Sequence, residues 1–312
     1  MSSKKIKTSF IKLLLPLFYK FFSFFNANSR AINFLIEKKN KKNNFYNFEN
    51  NIEQLLQNQK MIALDAGSQG GFNSDKFFLN RYNKFFKQIL VDPIKNSDQE
   101  EEDKIYINKG LWSSKIKKEL YVLGKRPGSS SMYMPDKDAI KIYGFKDSEV
   151  NLFDVTSTEI IECDTIESNL KNLKIENIDY LKIDTQGAEL EILKGLGNYK
   201  PLLIKCETQI FPMYKEVPGW TELLNYLNIL NYIVIDWKQI GSSITRTPVE
   251  MDMVFIPNFK NSYGKNEILK NQNKFISLML MSGQIELLKK ISELLGLGNK
   301  DIYMNLKDRY FN

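Results

Sequence analysis

The 312 residues are 43% hydrophobic and 26% charged, ordinary values for a soluble globular protein long enough to bury a large core. The chain has no histidine, which excludes histidine triads, histidine metal sites and histidine general bases and leaves acid–base work to Asp, Glu, Lys, Tyr or water. Its +7 charge is concentrated in residues 1–50, where ten Lys/Arg face only Glu37 and Glu49, so the rest of the chain stands at −1. That argues against a nucleic-acid groove across the body.

Residues 9–25 are the most apolar stretch and follow Lys4, Lys5 and Lys7. Lys12, Pro16 and Lys20 interrupt them, and they are short for a bilayer span. A basic-then-apolar order also occurs in signal peptides, but no convincing small-x-small cleavage site follows. The stretch suits an amphipathic segment on an anionic membrane surface, or equally a helix packed on the body or on a second subunit. Residues 38–52 are rich in Asn and Lys, without apolar period, and read as a linker.

From Lys60 onward strands and helices alternate. Strands are expected at Met61–Ala66, Gln88–Asp92, Lys104–Asn108, Ile178–Asp184, Pro201–Glu207, Tyr232–Trp237 and Met251–Ile256. Lys118–Leu123 and Glu159–Asp164 are extended segments flanking a polar loop. Helices are expected at Asn73–Phe86, Thr165–Leu173, Ala188–Gly195 and Trp220–Leu230. This alternation predicts a doubly wound α/β fold with a parallel sheet. Residues 265–312 read as a helical appendage, with Ile285, Leu287, Leu288, Ile291 and Leu294 at core spacing. The chain therefore divides into an arm and linker (1–55), a catalytic domain (56–260) and a C-terminal appendage (261–312). Cys163 and Cys206 are the only cysteines, form no CxxC and read as buried free thiols in a reducing compartment.

Two strand–turn–helix stretches carry the chemistry. In the first, a strand runs into Asp65-x-Gly67-x-x-x-Gly71. Glycines there permit a sharp bend and a close ligand approach. Asp92 closes the next strand, where a carboxylate can accept both hydroxyl hydrogens of a ribose; it is otherwise an ordinary turn residue before Pro93. A dinucleotide fingerprint wants glycines around a pyrophosphate, which Asp65 would repel. A cofactor with an ammonium and no phosphate fits better, and S-adenosylmethionine matches both aspartates. In the second stretch, Ile178–Gly195, a strand ends at Asp184 and a helix begins near Ala188.

These pieces resemble the FkbM-type methyltransferases, a group of class I S-adenosylmethionine enzymes, over roughly residues 60–257. The resemblance is carried by Ile62–Gly71, Leu90–Pro93, Asn108–Ser113, the serine-rich Gly128–Met132, Glu162–Ile166, Tyr180–Gly195, Ile204–Glu207 and Met251–Phe255. It implies a Rossmann-like sheet and places Asp65, Gly67, Ser68, Gly71, Asp92 and Trp112 around S-adenosylmethionine. It also implies methyl transfer to an acceptor, most often a hydroxyl on a sugar, glycan or small metabolite. The family usually has Glu-Gly where this chain has Gln186-Gly187, and Leu at Cys163.

A hydroxyl acceptor must lose a proton, so a carboxylate base is expected. Asp184 is the first candidate, then Glu189 and Glu207. Each has a plainer role open to it: a cap or loop holder for Asp184, a helix-start charge for Glu189, a buried lysine partner for Glu207. Lys182 shares the face of Asp184 by alternation and could tune it. Oxygen ligands from Asp164, Asp184 and Glu207 would suit magnesium, although no metal is assigned. On this reading the protein is cytoplasmic, with the arm on the inner membrane face. The competing readings are an NAD-dependent oxidoreductase on a related fold and a non-catalytic membrane-associated binding module.

Overall fold

The computed structural model describes residues 47–68, 80–94, 102–143, 145–240 and 248–306. The apolar arm at 9–25, Gly71 and most of the helix expected at Asn73–Phe86 lie outside them. Among the described residues no helix is long and apolar enough to cross a membrane.

The described residues form ten strands: β1 (Met61–Ala66), β2 (Phe86–Val91), β3 (Lys104–Ile107), β4 (Gly110–Leu111), β5 (Ile116–Val122), β6 (Ser157–Asp164), β7 (Tyr180–Ile183), β8 (Leu203–Gln209), β9 (Tyr232–Ile240) and β10 (Glu250–Pro257). Seven of them form one sheet in the order β3-β2-β1-β7-β8-β10-β9. The pairs from β3 through to β8 are parallel, and β10 runs antiparallel to both its neighbours. The chain winds outward from β1 to β3 on one side and from β7 to β8 on the other. The switch between β1 and β7 opens a crevice at the carboxyl ends of the strands, where open α/β sheets bind ligands. The expected mixed α/β fold with a large, mostly parallel sheet is the one observed. The segments around Lys118 and Glu159 leave that sheet and build a second one, β4-β6-β5.

Central parallel strands are covered on both faces and read as near-continuous apolar runs. All four residues of β7 are buried, as are five of the six in β1. One face carries Leu64, Ala66, Leu181, Ile183, Ile204 and Cys206 into the main core. Charges interrupt the other face and are paired there. The β1–β7 register sets Asp65 opposite Lys182, and Lys182 Nζ lies 2.8 Å from Asp65 Oδ1. Lys205 on β8 lies 3.4 Å from Asp252 on β10. Lys182 thus turns to Asp65, because register puts that carboxylate directly across from it.

The described residues divide into two compact units, the larger comprising 59–68, 83–94, 102–143, 145–240 and 248–275, the smaller 47–58, 80–82 and 276–306. The larger holds both sheets. Its helices include Ile166–Asn172, Glu189–Lys194 and Trp220–Ile229, each within two residues of its expected bounds. Thr165 caps the first of these by accepting from Ser168 N. In the smaller unit, Asn51 Nδ2 on helix Glu49–Leu56 donates to Ile302 O on the C-terminal helix Lys300–Tyr303 at 3.0 Å.

Breaking a buried ion pair strands the remaining charge, at about 3–5 kcal/mol. Lys182→Met is expected to lower unfolding free energy in urea by about that amount. The double replacement Asp65→Leu/Lys182→Met is expected to recover most of it.

Candidate active site

The ends of β1, β2 and β7 meet around a cleft of about 590 Å³, mouth included, lined by Gly67, Asp92, Lys109, Asp184, Thr185 and Gln186 among others. Apolar walls come from Ile94, Leu111 and Met132, and the serine-rich loop adds Gly128 and Ser130.

Gly67 has a left-handed backbone with φ +79. Its amide and that of Ser68 both donate to Val91 O, tying the turn to the end of β2. A Cβ on Gly67 would lie 2.0 Å from the carbonyl oxygen of Asp184. Glycine is therefore required by the neighbouring strand, whatever a ligand demands of it. The amide of Asp184 donates to Ala66 O at 3.0 Å, extending the β1–β7 pairing one residue beyond β7.

Asp92 borders the cleft, and its Oδ1 accepts from the amide of Ile94 at 2.9 Å. Asp65 is fully buried in its pair with Lys182. Ser68 is buried as well. Trp112 belongs to the main core, with its ring tilted against Tyr133 at 6.0 Å and Lys118 Nζ 4.4 Å from its centroid. Of the described cofactor candidates, Gly67 and Asp92 are therefore the two that line the cleft.

The three candidate bases are gathered at one end of the sheet by a single loop. Glu189, on the first turn of its helix, turns its Oε1 back to accept from Thr185 N (2.9 Å), Thr185 Oγ1 (3.0 Å) and Gly187 N (3.0 Å). Burial pushes its carboxyl above the usual range, while those hydrogen bonds oppose the rise. It clamps the loop. Gln186 adopts φ +58 at the apex. Its Nε2 donates to Glu207 Oε1 at 2.7 Å and lies 3.3 Å from Asp184 Oδ1. Its Oε1 is 3.2 Å from the Tyr214 hydroxyl, which donates to Ser129 O at 2.7 Å, and its carbonyl accepts from Ser131 Oγ. One amide thus spaces two carboxylates. Burial, then Asp184 and Glu250, hold the Glu207 carboxyl well above the usual carboxylate range. Asp164 is elsewhere, accepting from Thr165 N and Ser168 Oγ beside a helix start. Among the described residues no three such side chains are placed to hold a metal ion.

The methyltransferase FkbM domain matches residues 26–234. The chain belongs to the FkbM methyltransferase family. A search of curated proteins gave no match. The matched span takes in the cleft, the Glu189 clamp and the Gln186 bridge. Gln186 showed in the sequence as a departure from the family's usual residue. Ser131 lies in the serine-rich segment the sequence also marked, whereas Tyr214 and Glu250 gave no such signal, since each approaches from a distant segment.

Glu250, on β10, is pushed up to about 7 by burial and by Asp184, Glu189 and Asp252, with Arg126 opposing. A carboxyl whose folded pKa is raised takes up protons more readily folded than unfolded. Its contribution to stability is therefore lost as pH climbs from the ordinary Glu range to about 7. Glu250→Gln is expected to gain stability relative to the parent chain between about pH 5 and about pH 8, read by urea unfolding across that range.

Proposed function

We propose that the chain is an S-adenosylmethionine-dependent methyltransferase acting on a hydroxyl of a sugar, glycan or related small acceptor. The observation that carries this reading is the placement of Asp92 and Asp184 on one cleft, at the ends of strands on either side of β1. Asp92 is positioned for ribose hydroxyls, and Ile94, Leu111 and Met132 offer an apolar wall for a base. Asp65 no longer argues against a phosphate, because Lys182 balances its charge. That role passes to Asp92 and Asp184, two carboxylates on a lining whose one described cation is Lys109. Such a lining suits a cofactor bearing an ammonium and a sulfonium better than one bearing a pyrophosphate.

When bound, S-adenosylmethionine supplies a methyl already activated on sulfur. What remains for the protein is placement and the acceptor proton. Asp184 is the one of the three candidate bases that lines the cleft, and its role is to receive that proton. Gln186 orients it through the amide at 3.3 Å, and Glu189 fixes the loop on which both depend. Glu207 bonds Gln186 and is not among the residues that line the cleft.

Calorimetric titration with S-adenosylmethionine, S-adenosylhomocysteine and NAD tests the reading. The first two are expected to bind, and Asp92→Ala to weaken them about 10- to 100-fold, the loss of hydrogen bonds to a charged group. Asp184→Asn is expected to weaken binding far less than Asp92→Ala does and to lower methyl transfer about 10²- to 10⁴-fold. Binding of NAD in place of both adenosyl compounds would favour an oxidoreductase.

A further inference from the structure

Beyond Asp184 the same sheet face carries a second group of polar side chains. β8 and β10 pair with Gln209 opposite Glu250 and Glu207 opposite Asp252. Directly opposed residues of an antiparallel pair share a face, with Cβ atoms about 4.5–5.5 Å apart. The four side chains therefore form one block. It stands at the carboxyl end of β8, the end at which β7 delivers Asp184 to the cleft.

Two members of the block are committed inside the fold. Asp252 faces Lys205, and Glu207 takes the Gln186 amide. The other two are not. Gln209 accepts from Met213 N at 2.9 Å through Oε1, but its Nε2 has no hydrogen-bond partner among the described residues, and neither has Oε1 of Glu250. Both residues are more than nine-tenths buried, at 5% and 8% exposure. A buried donor or acceptor left unpaired is costly. Here one of each kind stands on facing strands, two residues along from Glu207, which accepts from the Gln186 amide. A ligand offering an oxygen to Gln209 and a hydroxyl hydrogen to Glu250 completes both. The surroundings also select by charge. Asp184, Glu189, Glu207 and Asp252 all act on Glu250, with Arg126 the opposing cation, so an anionic group would be repelled there.

We infer that Gln209 and Glu250 form the recognition end of the acceptor subsite and take adjacent hydroxyls of a polyhydroxylated acceptor bearing no phosphate or carboxylate at that end. The inference rests on reading the cleft as a methyl-transfer site. It assigns specificity to a pair that touches neither the cofactor nor the transferred methyl.

The test combines three readouts on the full chain and on Glu250→Met and Glu250→Gln. S-adenosylhomocysteine titration reads the cofactor site. Melting temperature at pH 8 reads whether Glu250 is satisfied within the fold. Transfer of labelled methyl to a panel of methyl hexopyranosides and hexose phosphates reads the acceptor. We expect both variants to bind S-adenosylhomocysteine within about twofold of the parent and to melt no lower. We expect KM for neutral glycosides to rise about 10- to 100-fold in Glu250→Met, less in Glu250→Gln, with kcat little changed. Hexose phosphates are expected to be the poorer acceptors of the parent chain. The inference is overturned if Glu250→Met melts several degrees lower or transfers to neutral glycosides with unchanged KM. It is overturned equally if phosphates are preferred, or if no glycoside is methylated by a chain that binds S-adenosylhomocysteine. Failure of the parent chain to bind that compound would instead remove the methyltransferase reading, and the melting comparison would still report on the pair.

Discussion

The turn after β1 passes so close to the end of β7 that no side chain fits between them. At Gly67 even a β-carbon would meet the Asp184 carbonyl at 2.0 Å, and the left-handed backbone there is one that other residues seldom adopt. This contact draws together the two strands at which the sheet reverses its winding. The turn that borders the cleft and the residue that carries the candidate base are thereby fixed against each other. Displacement of either would move Asp184 relative to Asp92, and methyl transfer tolerates little error in placement.

The polar groups behind that contact form a nearly closed account. Asp65 balances Lys182 across the strand pair, Glu189 satisfies the amides of the loop at Thr185 and Gly187, and Gln186 separates Asp184 from Glu207. A glutamate at 186, the residue usual in the family, would face those two as a third carboxylate without a donor to offer them. The amide removes that repulsion and supplies the hydrogen bond instead. Gln186 is, in this fold, the piece that lets two carboxylates share a small space.

Much of this was legible in the sequence. Strands with apolar runs and glycine-bounded ends were placed to within a few residues, because a parallel sheet buried on both faces imposes that pattern. Asp92 and Asp184 could be named because strand ends at a switch point have a predictable function. Register was not legible. Sequence alternation put Lys182 on the face of Asp184, but only the pairing of β1 with β7 reveals Asp65 as the nearer partner. The second sheet was hidden for the same reason, since β5 and β6 look like any extended segments until their partners are known. Glu250, Gln209 and Tyr214 reach the site through pairings and loops with no local signature.

The central claim is that one cleft between β1 and β7 holds an adenosyl cofactor with its ribose on Asp92 and its sulfur toward Asp184. A crystal structure of the chain with S-adenosylhomocysteine tests it directly. The account predicts ribose hydroxyls within hydrogen-bond distance of the Asp92 carboxylate and the thioether on the Asp184 side of Gly67. A nucleoside bound elsewhere, or turned so that its ribose avoids Asp92, would contradict it.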